Sequence, residues 1–270
     1  SDNFDLDLKK ILQDIYEVVF LLDYLYISKK IDYGIYIYKR NRNIKKFLFN
    51  LFEIIKRNYT SQNNIFSDLS PILFGSYGIN KALPSSDVDL FFIYHSKENN
   101  HIDNIKIVRR FYNVINQYVD KDFLTIDDRN KPFDKSSDQV IQFDKFFDFY
   151  LKTDEIFHQL SFLKTKILSH STNIARLFYL RKNEIISQYS SIDKNYIKKI
   201  LDLKNPKENF KDLVQLYKIS DEIFTFNKEE FSLKGKFKIF NEELVRANLY
   251  NSSTKTDLSQ SLDELLKIID

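Results

Sequence analysis

The chain has 270 residues, 43% of them hydrophobic and 29% charged, with a formal net charge of +3 at pH 7. This apolar fraction excludes wholesale disorder, and so small a net charge does not by itself indicate a nucleic-acid-binding protein. Because the chain has no cysteine, disulfides, zinc–thiolate sites and cysteine nucleophiles are excluded as well.

The N-terminal part of the chain predicts two helices followed by two strands. Apolar residues recur at three- and four-residue spacing over 4–26 and again over 42–58, which is typical of amphipathic helices. The period then changes, and two short apolar runs, 71–74 and 88–94, predict strands. Gly75 closes the first of these runs.

A further helix and strand are predicted before a polar break. Helical spacing returns over 102–119, and the short run 123–126 predicts a third strand that ends at Asp127. A polar stretch between Lys131 and Ser137 follows, and we place a domain boundary there.

The remainder of the chain is predicted to be helical. We therefore expect an α+β protein, in which a small mixed sheet flanked by helices precedes an all-helical C-terminal bundle. The expected domains are 1–136, which contains the sheet and the N-terminal helices, and 137–270, which is helical. The predicted helices of the second domain cover 137–151, 153–168, 172–189, 193–203, 209–225 and 256–269.

No segment of the sequence is suited to crossing a membrane. Asp, Lys or Asn interrupts every apolar run before it reaches the roughly 18 to 20 residues needed to span a bilayer. The residues at the start of the chain also lack a secretory-signal pattern. We therefore expect a cytoplasmic protein without a membrane partner.

The most informative stretch couples a Gly-Ser pair to two closely spaced carboxylates. Gly75-Ser76 follows the first predicted strand, and Asp87 and Asp89 lie at the start of the second. Side chains at positions i and i+2 of a strand project from the same face, with Cα atoms roughly 6.5–7 Å apart. Each feature alone is common in solvated loops and turns, whereas the two together between apolar runs are rare.

Such a pair of carboxylates can ligate one divalent cation or bridge two. Phosphoryl and nucleotidyl transfer use two cations about 3.5–4 Å apart to stabilise the attacking and the leaving oxygen. Oxygen ligands suit hard cations, so Mg²⁺ or Mn²⁺ is the expected cofactor. Gly75 lets the backbone approach a triphosphate closely, and the Ser76 hydroxyl and nearby amides can donate hydrogen bonds to it.

This pattern resembles that of the polymerase-β-like nucleotidyltransferases, in which an apolar residue and Gly-Ser precede a spacer and Asp-apolar-Asp. Within that superfamily the chain is most similar to glutamine synthetase adenylyltransferase, whose site has two glycines, a spacer and Ser-Ser-Asp-(Ile or Val)-Asp-Leu. The residues that follow this pattern without a gap are Gly75, Gly78, Ser85, Ser86, Asp87, Val88, Asp89 and Leu90.

The resemblance also assigns residues beyond this motif. The family's third metal ligand is an Asp at the end of a later strand, which implies Asp127, with Asp128 as the alternative because the strand phase is open by one residue. Arg129 and Lys131 in the following loop would contact phosphate. Lys204 would contact the nucleotide from the helical region.

The likeness covers about residues 70–216, and the chain departs from the family at three points. Ser76 stands where that family usually has Lys, which is nearer the general superfamily form. Residues 79–81 replace a Gly-Arg-Glu triplet, and a later Gly-Gly element is absent at Glu208-Asn209. These differences leave the metal chemistry in place but remove the basis for naming glutamine synthetase as the acceptor.

The resemblance implies an enzyme that binds ATP or another NTP and transfers its nucleoside monophosphate to an acceptor hydroxyl. The catalytic and metal-binding residues would be Asp87, Asp89 and Asp127, with Asp127 as the general base. The expected acceptor is a protein side chain, which would make the chain a protein adenylyltransferase. The residues expected to bind the nucleotide are Gly75, Ser76, Ser86, Arg129, Lys131 and Lys204.

Three alternative functions share the same residues. An enzyme of this fold could act on RNA ends or on small nucleotides, and salt-sensitive RNA binding would distinguish it. The reverse reaction, removal of AMP from a modified protein, would use the same metal centre. A module that binds nucleotide without catalysis is the third alternative, although the presence of all three acids favours an enzyme.

Overall fold

The structure, a computed structural model, describes part of the chain, namely residues 2–63, 67–95, 101–127, 139–153, 156–169, 171–186 and 188. The chain divides into two units, Ser1–Gln188 and Tyr189–Asp270, and the described residues all belong to the first. The predicted helices over 193–203, 209–225 and 256–269, and with them most of the predicted C-terminal bundle, lie outside the described residues.

The described part of the first unit contains both helices and strands. None of the helices there is long and apolar enough to cross a membrane. In chain order the elements are α1 (Asp2–Ile27), α2 (Tyr33–Asn63), β1 (Ser70–Leu73), α3 (Gly75–Gly78), β2 (Val88–Tyr94), α4 (His101–Tyr118), β3 (Ile126–Asp127), β4 (Val140–Gln142), α5 (Phe143–Lys152), α6 (Ile156–Leu163), β5 (Lys166–Ile167) and α7 (Thr172–Ile186).

The strands form one mixed sheet in the order β3-β2-β1-β5, with β4 also paired to β2. β1 pairs antiparallel with β2 and β5, whereas β2 pairs parallel with β3 and β4. The predicted small mixed sheet with flanking helices is thus confirmed. β2 is the central strand, and all its residues except Asp89 and Tyr94 are buried. A strand buried on both faces reads as a nearly continuous apolar run, which explains the sequence of β2.

Helices α1, α2 and α4 contribute to the main core with the sheet. Phe92 of β2 packs against Phe52 of α2 and Phe111 of α4, with ring centroids 5.3 and 5.4 Å apart. All three rings are fully buried, and burying each one stabilises the fold by about 1.5–3 kcal/mol. This core fixes the central strand, and hence the edge of the sheet at which β2 begins.

A second aromatic cluster joins α5, α6 and α7. Phe147 of α5 contacts Phe162 of α6 and Phe178 of α7, with ring centroids 6.0 and 5.3 Å apart. Phe146 of α5 contacts Phe74, the residue directly before Gly75, at 6.3 Å. The aromatic cluster therefore packs against the end of β1, where the Gly-Ser pair begins.

The predicted helices over 137–151 and 153–168 are wrong in part, because each contains a short strand. β4 precedes α5, and β5 follows α6. Both strands obtain their hydrogen bonds from distant residues: the amide of Phe92 donates to the carbonyl of Gln139, and that of Leu168 donates to the carbonyl of Pro71. The spacing of apolar residues along the chain does not indicate such distant hydrogen-bond partners. The sheet consequently extends past the boundary predicted at residue 136.

The third strand lies later than predicted. Phe123 and Leu124, which the sequence placed in the strand, form a turn in which both amides donate to the carbonyl of Asp120, at 3.1 and 3.0 Å. The strand itself consists of Ile126 and Asp127. Its end at Asp127 agrees with the prediction.

Candidate active site

The Gly-Ser pair and the two carboxylates lie at one edge of the sheet, where β1 ends and β2 begins. Because these strands are antiparallel and Leu73 is the register partner of Leu90, the end of β1 lies beside the start of β2. One step further, the amide of Phe74 donates to the carbonyl oxygen of Asp89 at 3.0 Å. The pairing of β1 with β2 therefore places Gly75 next to Asp89.

Gly75 is required at this point for two separate reasons. Its φ is +56°, in the left-handed region that side chains with a Cβ rarely adopt. A Cβ at this position would lie 2.6 Å from Oδ2 of Asp89, closer than real Cβ contacts. The space that a side chain would fill is occupied by the Asp89 carboxylate.

The short helix α3 continues from Gly75 to Gly78 and contains the half-buried Ser76. It ends in a close backbone contact, because a Cβ at Gly78 would overlap the carbonyl oxygen of Lys164. Lys182 of α7 donates hydrogen bonds at 2.7 Å to the carbonyls on either side of that residue, those of Leu163 and Thr165. At both glycines of the motif, an oxygen atom of another residue thus lies closer to the backbone than any side chain would allow.

Asp87 and Asp89 alternate with buried apolar residues. Val88 and Leu90 are buried in the core, whereas both aspartates are half-buried. Asp87 directly precedes β2, and Asp89 is its second residue. The alternation agrees with the predicted one, in which the apolar residues fix the strand and the two carboxylates project together.

The backbone of β3 brings Asp127 beside this pair. Val88 is the register partner of Ile126, and Asp89 is that of Asp127, on parallel strands that lie about 4.8 Å apart. Only the backbone of Asp127 is described. The register selects Asp127, rather than Asp128, as the neighbour of Asp89. The other predicted residues that lie outside the described ones are Asp128, Arg129, Lys131 and Lys204.

The chemistry of these donors suits a hard divalent cation. Asp87 and Asp89 supply carboxylate oxygens, and Gly75 leaves the space in which the Asp89 carboxylate lies. Mg²⁺ is commonly held in this way, by one or two protein carboxylates together with the phosphates of a substrate. The described side chains include no group of three or more His, Asp or Glu that could hold a metal ion. The side chain of Asp127 is not one of the described side chains.

Ser86, predicted to bind nucleotide, is buried and closes the turn before Asp87. Its hydroxyl accepts a hydrogen bond from the amide of Leu83 at 2.9 Å, and its own amide donates to the carbonyl of Leu83 at 3.0 Å. These bonds hold the turn that leads into β2. A contact of Ser86 with nucleotide stays a prediction.

Three polar residues of α2 that were not predicted from the sequence contact residues between Ser76 and Asp87. Arg40, Asn41 and Lys45 are buried, and each bonds a residue of α3 or of the segment between α3 and Asp87. Burial, with the neighbouring Lys166 ammonium, lowers the pKa of Lys45 to about 8. A signal existed, since Asn41 falls at helical spacing within a stripe that is otherwise apolar. The apolar members of that stripe are Ile37, Ile44, Leu48 and Ile55.

Comparison with known proteins supports the chemistry of this edge of the sheet. None of the curated proteins compared matches the chain. Residues 50–154, however, match the family model of the nucleotidyltransferase domain. The matched segment includes Gly75, Ser76, Asp87, Asp89 and Asp127, and it supports nucleotidyl transfer as the general reaction. Over residues 50–154 the chain is thus similar to the nucleotidyltransferase domain, a family of the polymerase-β-like superfamily.

Proposed function

We propose that the protein is a metal-dependent nucleotidyltransferase that transfers AMP from ATP to a hydroxyl of an acceptor protein. The observation that carries this proposal is the position of the Asp89 carboxylate beside Gly75, with Asp87 two residues before it and Asp127 in register on the next strand. The family match supports the transfer reaction. The choice of AMP and of a protein acceptor rests on the likeness of residues 75–90 to protein adenylyltransferases.

Asp87, Asp89 and Asp127 would hold Mg²⁺ or Mn²⁺. When bound, the cations neutralise charge on the triphosphate and stabilise the attacking and leaving oxygens. The backbone of Gly75 and the hydroxyl of Ser76 would hold the triphosphate, because they lie next to the carboxylates at the same edge.

In the proposed reaction the acceptor oxygen attacks the α-phosphorus of ATP. A bond forms between these two atoms as the bond from the α-phosphorus to the bridging oxygen breaks, and pyrophosphate leaves with that oxygen. Asp127 accepts the proton of the acceptor hydroxyl, since the third acid of such a site lies beside the nucleophile. Arg129 and Lys131, which follow Asp127 in the chain, would contact the phosphates. Ser86 and Lys204 complete the proposed nucleotide contacts.

Labelling with radioactive nucleotides tests the proposal. The purified chain is incubated with Mg²⁺ or Mn²⁺ and each α-³²P-labelled NTP, with and without a cell lysate. Asp87→Asn and Asp89→Asn remove a carboxylate while conserving side-chain volume. Asp14→Asn, at an exposed position of α1, is the matched control. Circular dichroism establishes that each variant is folded.

The expected result is ATP-derived label in protein bands, retained by Asp14→Asn and reduced by at least about 10²-fold in the two motif variants. Label in nucleic acid would instead identify an RNA-directed enzyme. Loss of label from an AMP-modified protein would identify the reverse reaction. If the wild-type chain neither labels any acceptor nor binds any NTP, the proposed function is wrong.

A further inference from the structure

Three buried polar side chains of α2 contact the segment that leads from α3 to Asp87. We call Arg40, Asn41 and Lys45 the α2 clamp; their exposed fractions are 3%, 0% and 7%. Buried polar groups are costly unless they are hydrogen-bonded, so their partners are informative. Each of the three has a hydrogen-bond partner within residues 77–82.

Asn41 makes the most complete of these contacts. Its side-chain nitrogen donates to the carbonyl of Ala82 at 2.9 Å, and its side-chain oxygen accepts from the amide of Ala82 at 3.1 Å. The same nitrogen donates to the carbonyl of Ile37 within α2, at 2.8 Å. A single side chain thus satisfies both backbone groups of the buried residue Ala82, as a neighbouring strand would.

Arg40 and Lys45 contact the residues on the other side of the segment. The Arg40 guanidinium donates to the hydroxyl of Tyr77 in α3 at 3.5 Å. Lys45 donates to the side-chain oxygen of Asn80. Asn80 has a φ of +64°, a strained conformation that persists where the surroundings hold it in place. The clamp therefore contacts Asn80 itself and one residue on either side of it in the chain, Tyr77 and Ala82.

A short path of bonds connects the clamp to the Gly-Ser pair. Lys81, which lies between the two clamped residues Asn80 and Ala82, donates its amide to the carbonyl of Ser76 at 2.8 Å. Displacement of Ala82 therefore moves the partner of Ser76. If the segment shifted, the buried side-chain oxygen and nitrogen of Asn41 would lose their bonds to Ala82, so the observed arrangement is the one that satisfies both residues.

From these contacts we infer that Asn41 and Lys45 are positioning residues for the nucleotide, acting through the 77–82 segment on Ser76. The inference rests on the proposed function. The clamp lies in α2, before the segment 50–154 that matches the nucleotidyltransferase domain. It would set the affinity for the triphosphate without touching it.

The test compares two asparagines of the same helix. Asn41→Ala removes the contact with Ala82, whereas Asn43→Ala removes only a bond within α2, from Asn43 to the carbonyl of Lys39. Lys45→Met removes the donor to Asn80 at nearly constant length, and Lys45→Gln restores a neutral donor. The Kd of Mg²⁺·ATP is measured by calorimetry, and KM and kcat by transfer of ³²P-label, on folded protein.

For Asn41→Ala and Lys45→Met we expect Kd and KM to rise by about 10-fold or more, with Asn43→Ala unchanged and Lys45→Gln close to wild type. A clamp that only stabilised the fold would lower the melting temperature and leave Kd and KM as they are, which would overturn the inference. If Asn41→Ala does not fold, the Lys45 pair decides. A wild-type chain that neither binds nor transfers nucleotide would overturn the proposed function and, with it, this inference.

Discussion

The Asp89 carboxylate lies against Gly75 so closely that no side chain fits between them. An ideal Cβ at residue 75 would be 2.6 Å from Oδ2 of Asp89, and the backbone there has a φ of +56°. The amide of Phe74 also donates to the carbonyl of Asp89. The glycine and the acid of the motif are therefore one packed unit, joined across the β1–β2 pair.

Replacing this glycine should damage both the site and the fold. Gly75→Ala places a Cβ in the left-handed region, at a cost of about 1–2 kcal/mol, and displaces the Asp89 carboxylate. We expect a transfer rate reduced by about 10²-fold, because a shift of about 1 Å at a catalytic group has that effect. Steady-state transfer and thermal unfolding measure the two consequences.

Gly34→Ala is the matched control for Gly75→Ala. Gly34 lies in the first turn of α2 at an ordinary helical φ, and its nearest contact to an added Cβ is Oδ1 of Asp32 at 3.3 Å. Its transfer rate should equal that of the wild type. Wild-type activity in Gly75→Ala would show that the packing against Asp89 has no part in the reaction.

The second glycine of the motif should matter mainly for stability. A Cβ at Gly78 would overlap the carbonyl oxygen of Lys164, which is backbone and has little freedom to move. We expect Gly78→Ala to lower the free energy of unfolding by about 1–3 kcal/mol, the usual cost of overpacking. Urea unfolding measures this change. An unaltered midpoint would mean that the 163–165 segment can withdraw from α3 at no cost.

The backbone register distinguishes Asp127, the last residue of β3, from the acid that follows it in the sequence. Asp127, the register partner of Asp89, should be essential, and Asp127→Asn should reduce nucleotidyl transfer by at least about 10²-fold. Asp128→Asn should retain most of the activity. Transfer assays on the two folded variants, side by side, measure the difference. The opposite result would place the third acid at Asp128 and would require a register other than the observed one.

Two buried lysines should make the protein more stable in mild alkali. Burial lowers the pKa of Lys182 from 10.5 to about 8, and burial with the nearby Lys166 lowers that of Lys45 to about 8. Between pH 8 and pH 10.5 these lysines are protonated more in the unfolded chain than in the folded one, so the free energy of unfolding rises with pH. For Lys182 the rise from pH 8 to 9.5 should be about 1–2 kcal/mol.

Urea unfolding at several pH values tests this rise, with Lys182→Met as the variant and Lys9→Met, at an exposed position of α1, as its control. The slope should be smaller in Lys182→Met and unchanged in Lys9→Met. Above about pH 10 the sign should reverse, because burial raises the pKa of Tyr36, and an unfolded tyrosine ionises first. Stability that stays constant or falls between pH 8 and 9.5 would contradict the prediction.

The sequence by itself determined the alternation of the motif and the strand that carries it. Asp87 and Asp89 alternate with Val88 and Leu90, and this two-residue period is a local property that the backbone of a strand enforces. Gly75 was also visible, since a glycine between an apolar run and a serine indicates a turn. Such features depend on neighbours in the sequence, and they could be predicted without the fold.

Only the tertiary structure decided which distant residues lie beside the motif. The register of β2 with β3 makes Asp127 the neighbour of Asp89. The short strands β4 and β5 form because β2 and β1 pair with them. Asn41 lies in an otherwise apolar stripe of α2, but the sequence does not name its partner, and only the packing of α2 shows its contact with Ala82. Contacts between residues far apart in the chain leave no periodic pattern in the sequence, because they arise from tertiary packing.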